Sequence, residues 1–330
     1  MGITLPDRLS IDLNICHDEA YAMDAELILK EFRSTLLKQG KSAATAEAYC
    51  RDARHYLLYL QQHRIALDHS DLNLLQHYQK HLEIKHGKIN SVRRSVIGIR
   101  QFFRYLSHQG HLTHSPPEAL IIPPRDEQLK EPLSNEEVRT LLRTARQQEP
   151  KLKGMRDAVI ISLLGTEGLK VSELIKVQWS DYISLQGMGS LRIRGGRTRV
   201  IQLHRETHEL IRDYRTLFKS CLAADNGDKS YPYMILAYTG RDTRHPAPSI
   251  GRHGLKFLLS ELAPVIQRKT LNTEMLRHYA ICSQLRSGKS PEDIMQHLGL
   301  KRPGNITKHL RAAMRKHLAS PEKDINRCLT

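Results

Sequence analysis

Aromatic residues are scarce: they make up 5% of the 330 residues, with a single tryptophan, Trp179. That scarcity argues against cores or binding faces built on large rings, and favours helices packed through Leu, Ile and Ala. Cysteine is also sparse. Cys16, Cys50, Cys221, Cys282 and Cys328 are scattered, odd in number and never form a C-x-x-C pair. The pattern gives no zinc-ligand spacing and suits a reducing cytosol, with Cys50 and Cys282 read as small core residues. No basic leader precedes an apolar stretch, and no apolar run is long enough to cross a bilayer. Internal repeats, coiled-coil heptads and low-complexity tracts are missing too. Gly195-Gly196 falls in a hairpin turn rather than between a strand and a helix, so it does not make a nucleotide-binding loop. These absences predict a cytoplasmic, mainly α protein with no metal, no cofactor and no membrane partner.

Positive charge is abundant. Lys and Arg total 51 against 35 acids, for a formal net charge of +16 and a pI near 9.7. Such an excess concentrates polyanions at the surface and speeds their capture, which makes nucleic acid the favoured partner. The length suffices for two domains, each with its own core.

Apolar residues recur at helical spacing from Asp24 to about Gly110. Leu27, Ile28, Phe32 and Leu36 mark a first helix; 44–62, 72–86 and 90–109 mark three more. The last carries Arg93, Arg94, Arg100 and Arg104, either a DNA-facing surface or a solvated helix face. Pro116, Pro117, Pro123 and Pro124 break any helix after it, so 112–131 reads as a linker. Beyond it, Ser134 and Glu137 have capping-box spacing, 155–168 is an apolar helix, and 190–194 with 199–203 form a β-hairpin around Gly195-Gly196. Helices are expected from His204 to the end. The expected organisation is an N-terminal extension (1–23), a helical bundle (24–111), the linker, a second domain with a small antiparallel sheet (132–320) and a tail (321–330).

The order of motifs in the second domain is specific. Gly168-Leu-Lys-Val-Ser-Glu-Leu174 is followed by the arginine-rich hairpin, then Glu274-Met-Leu-Arg-His278, then Leu298-Gly-Leu300, then a basic segment. Across about Asp24 to Leu318 this resembles the tyrosine recombinases, the phage integrase and Xer family. The resemblance implies a helical core-binding (SAM-like) bundle, a C-terminal α+β catalytic-type domain, and double-stranded DNA as partner. It also implies a metal-free site in which a tyrosine attacks the scissile phosphate. Two arginines, a hairpin lysine and two histidines stabilise charge and move protons in that chemistry.

Residue by residue, the resemblance places Lys170 at the first arginine, Arg194 at the lysine, Glu274 at the first histidine, Arg277 at the second arginine, Leu300 at the second histidine and His309 at the tyrosine. Only Arg277 keeps the family's residue type. Lysine lacks the bidentate fork of arginine, arginine is a poor proton donor, glutamate repels a phosphate unless paired with Lys170 or Arg277, and leucine donates nothing. No tyrosine follows Tyr279, although imidazole can act as a nucleophile.

The expected function is therefore sequence-specific DNA binding without strand cleavage. The chain would be a regulator or accessory factor of a mobile element or phage, acting as a homo-oligomer or beside an active recombinase. The alternative is a divergent active recombinase using His309. Candidate DNA-binding residues are Lys170, Arg194, Arg197, Arg199, Arg277, His278, Arg93, Arg94, Arg100, Arg104, Lys301, Arg302 and Lys308. For Arg277 a buried pairing with Glu274 or Glu173 stays open. For His278 a core position stays open, and His297 reads as a solvated histidine or a displaced phosphate partner.

Overall fold

In the computed structural model, which describes residues 18–112, 120–126, 132–195, 198–223, 231–239, 242–247, 249–300 and 306–307, the N-terminal periodicity becomes four helices. These are α1 (Asp18–Lys38), α2 (Ala43–His63), α3 (Leu72–His86) and α4 (Ile89–His108). Their ends follow side-chain chemistry. Ser42 caps α2 by accepting from Thr45 N at 3.2 Å, and Asp71 caps α3 by accepting from Leu74 N at 2.7 Å. α3 stops at Gly87, in the left-handed region.

The bundle core departs from the composition-based expectation. Phe32, Tyr56, Phe102 and Phe103 are all at most 1% exposed, and ring centroids lie 5.3 Å apart for Phe32–Phe102 and 4.9 Å for Tyr56–Tyr78. The few aromatics gather in clusters, here and around Trp179, Tyr214 and Phe218 in the second unit, where each buried ring stabilises by roughly 1.5–3 kcal/mol. A low average does not forbid a local cluster.

The chain divides into two units, Met1–Glu127 and Gln128–Thr330. The second opens with α5 (Asn135–Gln147), whose capping box forms as expected: Glu137 N donates to Ser134 Oγ at 3.1 Å and Ser134 N to Glu137 Oε2 at 2.6 Å. α6 (Lys151–Gly165) is buried almost throughout and is the centre of this unit's core. After the short α7 (Val171–Leu174), β1 (Tyr182–Leu185), β2 (Met188–Ile193) and β3 (Arg199–Gln202) form an antiparallel sheet in sequence order. Leu191 pairs with Ile201, both facing the core, while Arg192 pairs with Val200 on the outer face.

α8 (Arg205–Ala223), β4 (Ala237–Thr239), β5 (Asp242–Ala247), α9 (Arg252–Leu262), α10 (Thr273–Arg286) and α11 (Pro291–Leu298) complete the described unit. The helices expected from His204 onward are thus interrupted by the β4–β5 hairpin. Its three-residue strand and its proline-bearing partner are too short and too irregular to show a period of two. Cys50 and Cys282 are core residues at 8% and 2% exposed. No described helix is long and apolar enough to cross a membrane.

Candidate functional site

The turn between α6 and α7, residues 166–170, is where the second unit's chemistry converges. Gly168 holds φ +71°, and a Cβ there would stand 2.5 Å from Leu298 Cδ2 and 3.1 Å from Ala280 Cβ. Only glycine lets this turn pack against α10 and α11. Its carbonyl then accepts from Arg277 Nη1, while Arg277 Nη2 donates to Leu298 O at 3.3 Å. Arg277 therefore ties α10 to the turn and to the end of α11. Burial pulls its guanidinium below its ordinary pKa, the Glu173 carboxylate opposes that, and the group stays charged.

Lys170 ends the turn as the N-cap of α7. Its backbone N–H donates to Glu173 Oε2 at 2.9 Å, and its ammonium, 45% exposed on a side-chain basis, lies 3.8 Å from Glu173 Oε1. Glu173 is buried. Burial pushes its carboxyl up, but the hydrogen bonds and charges of Arg199 and Lys170 outweigh that and hold it below the usual range.

Arg199 is the partner that makes this burial tolerable. Its Nη1 and Nη2 grip the two Glu173 oxygens at 2.9 and 3.2 Å, and its Nε donates to His297 O at 2.7 Å. With 9% side-chain exposure it faces the protein interior, so the expectation that it presents to DNA is corrected: all three nitrogens serve the fold. Arg194 is half committed in the same way, with Nε 2.6 Å from the fully buried Asp181 Oδ1 and 44% of its side chain exposed. Arg197, at the hairpin tip, lies outside the described residues.

His278 is 4% exposed and is a core side chain rather than a DNA contact. Helical geometry explains this: it sits on the face of α10 shared with the buried Met275 and Cys282. Glu274 is exposed at the start of α10 and makes no ion pair among the described residues, so of the pairings left open by the sequence, those of Glu274 with Lys170 or Arg277 are not formed there. Leu300 packs against the apolar group of Ile281, Ile294, Leu298 and Ile306. Lys301, Arg302, Lys308 and His309 lie outside the described residues.

In the first unit, Arg93 Nη1 donates to Pro123 O at 2.5 Å, and Arg94 Nη1 lies 2.5 Å from Asp52 Oδ2, whose side chain is 2% exposed. These two arginines are therefore part of the bundle's own bonding, which corrects the picture of one free basic face. Arg100 is half-buried and Arg104 exposed on the same helix.

Sequence reading named His297 as a solvated histidine or a displaced phosphate partner, but its side chain is 12% exposed and belongs to a cluster that the sequence did not announce. Glu167, with a fully buried side chain, sits between two imidazoles: His204 Nδ1 is 3.1 Å from both of its oxygens, and His297 Nε2 is 3.5 Å from Oε2 and 3.2 Å from Glu167 O. His204 N also donates to Glu167 Oε1 at 3.0 Å. Although burial pushes this carboxyl up, hydrogen bonds from His204, His297 and Thr207 and the charge of His204 bring it down to about 2. The three residues are 37 and 130 positions apart in the chain, so no local pattern announces them. No described group of three or more His, Cys, Asp or Glu is arranged to hold a metal ion.

Comparison with known proteins gives consistent matches. Residues 29–110 match the family model described as "Phage integrase, N-terminal SAM-like domain", and residues 131–314 match the one described as "Phage integrase family". The chain is similar to the tyrosine recombinase XerD of Staphylococcus aureus, 26% identical over 278 residues, covering 83% of this chain and 90% of that protein. The tyrosine recombinase XerD of Listeria innocua is 24% identical over 267 residues, covering 80% and 86%. Among solved structures, the XerH site-specific recombinase bound to palindromic difH substrate aligns over 92% of this chain and 89% of its own, with TM-score 0.67 and 14% identity. A lambda integrase tetramer bound to a Holliday junction aligns over 86% and 76%, with TM-score 0.60 and 16% identity. At these identities the two structures speak to the fold.

Proposed function

Because the chain belongs to the phage integrase family of tyrosine recombinases, we propose that it is a sequence-specific DNA-binding protein that holds duplex DNA without cleaving it. In this reading it serves a mobile element or phage as a regulator or as an accessory factor, alone as an oligomer or beside an active recombinase. The observation that carries the reading is the use made of the family's catalytic positions. Arg277, the one position that keeps its residue type, is bonded to the carbonyls of Gly168 and Leu298; Arg194 is bonded to Asp181; Leu300 packs in an apolar group. Transition-state stabilisation needs donors preorganised toward the reacting phosphate, together with a nucleophile in line. Here a lysine, an arginine, a glutamate and a leucine stand where that donor set would be, and histidine stands at the nucleophile.

The charge that binds phosphate is still present. A formal +16 gives the counterion-release contribution that dominates non-specific affinity, so binding weakens steeply as salt rises. Lys170, the partly exposed Arg194, Arg100, Arg104 and the basic segment with Lys301, Arg302 and Lys308 are the proposed contacts, with Arg197 at the hairpin tip.

The test begins with selection of bound fragments from genomic DNA. Suicide substrates built on them, with a nick or a phosphorothiolate at the candidate site, then report cleavage. The expected result is tight, salt-sensitive binding with no covalent adduct. A covalent protein–DNA adduct that disappears in His309→Ala would overturn the proposal in favour of a divergent recombinase.

A further inference from the structure

His204 ends the stretch from β3 into α8, and its ring is placed by a carboxylate rather than by solvent. Glu167, ionised because its carboxyl is held down to about 2, can only accept hydrogen bonds. The ring nitrogen facing it, His204 Nδ1, must therefore carry a proton. In the neutral ring this leaves Nε2 as a bare lone pair, an acceptor that repels a phosphate oxygen. Protonation changes it into a charged N–H donor. The His204 side chain is 37% exposed, and among the described residues its Nε2 has no hydrogen-bond partner.

We infer that His204, oriented by Glu167, is a phosphate-binding group whose contact with a phosphodiester oxygen requires uptake of a proton. The inference rests on the DNA-binding reading above and deepens it by naming a contact outside the family's catalytic positions. His297 shares the same carboxylate but is only 12% exposed, and its Nε2 faces Glu167 alone, so it steadies the acceptor. Thr207 on α8 and His297 on α11 hydrogen-bond to Glu167, and Arg199 on β3 donates to the His297 carbonyl; other ionisable groups on the turn and the packed elements include Lys170, Glu173 on α7, His208 and the 89%-exposed Arg205 on α8, and Arg277 on α10. Arg205 is paired with Glu209, and Arg199 with Glu173.

The experiment is fluorescence anisotropy of the full chain on a labelled duplex at constant ionic strength, from about pH 6 to about pH 8.5, the range that spans imidazole titration. Wild-type affinity is expected to fall as pH rises, and the slope of its log affinity against pH to exceed that of His204→Gln by up to about tenfold per pH unit, one proton per contact. His204→Lys, which supplies a permanent cation, is expected to restore affinity at the alkaline end while keeping the shallow slope. Equal slopes in wild type and His204→Gln overturn the inference. If neither protein binds duplex at any pH, the functional reading falls instead. Inorganic phosphate then decides: a shift of the His204 ring resonances at the acid end only keeps the site, and no shift removes it.

Discussion

Replacing Arg199 by alanine separates a structural arginine from a DNA contact. The Arg199 and Glu173 side chains are 9% and 5% exposed and joined by two hydrogen bonds of 2.9 and 3.2 Å, with a third from Arg199 to His297 O at 2.7 Å. Breaking a buried pair from one side strands the other charge, at a cost of about 3–5 kcal/mol. Glu173 would keep the Lys170 N–H at 2.9 Å and the ammonium at 3.8 Å, which places the expected loss near the lower end, about 3 kcal/mol. The single tryptophan, Trp179, packs edge-on against Phe218 and tilted against Tyr214 in the second unit, and reports its unfolding without a label. With a urea m-value of about 2–3 kcal/mol/M, the fluorescence midpoint should drop by about 1 M or slightly more. Removing both charges, as Arg199→Met with Glu173→Gln, should return most of that loss, because no uncompensated ion is then buried. The reasoning is refuted if Arg199→Ala leaves the unfolding free energy within about 0.5 kcal/mol of wild type while DNA affinity falls and its salt slope drops by about one, the signature of a lost phosphate contact.

Gly168→Ala combines left-handed strain at φ +71° with a 2.5 Å approach to Leu298, and should cost about 2–4 kcal/mol. Gly187→Ala, at φ +77° with open space around it, should cost only about 1–2 kcal/mol; equal midpoint shifts for the two would sink the packing argument. Glu167 moves from its ordinary 4.5 to about 2 on folding, worth about 3 kcal/mol that is fully present above pH 4.5 and lost as pH falls towards 2. Urea midpoints across that acid limb should be flatter in Glu167→Gln than in wild type; parallel curves would show that another group controls acid unfolding.

Much of the fold was legible because its signals are local. The four N-terminal helices, the Ser134–Glu137 capping box and the central hairpin rest on side-chain periodicity, one cap and one turn. The β4–β5 hairpin was illegible because its strands are too short for a period to emerge. The aromatic cores were misjudged because composition counts rings without saying where they meet: Phe32, Phe102 and Phe103 gather in one unit, and Trp179, Tyr214 and Phe218 in the other.

For the site, sequence alone determined the inventory: the order of motifs that carries family membership, the excess of positive charge, and the residue types at the positions that the resemblance matches to the family's catalytic ones. Which way each side chain faces was decided by tertiary structure. Arg199 and His278 turn inward because a buried Glu173 needs a counter-charge and because α10 presents that face to the core. Glu167, His204 and His297 become a cluster only when the turn after α6, the end of β3 and α11 are brought together. The physical reason is that charge and residue type belong to the chain, whereas desolvation and hydrogen-bond partnership belong to a place, and places exist only once distant segments have packed.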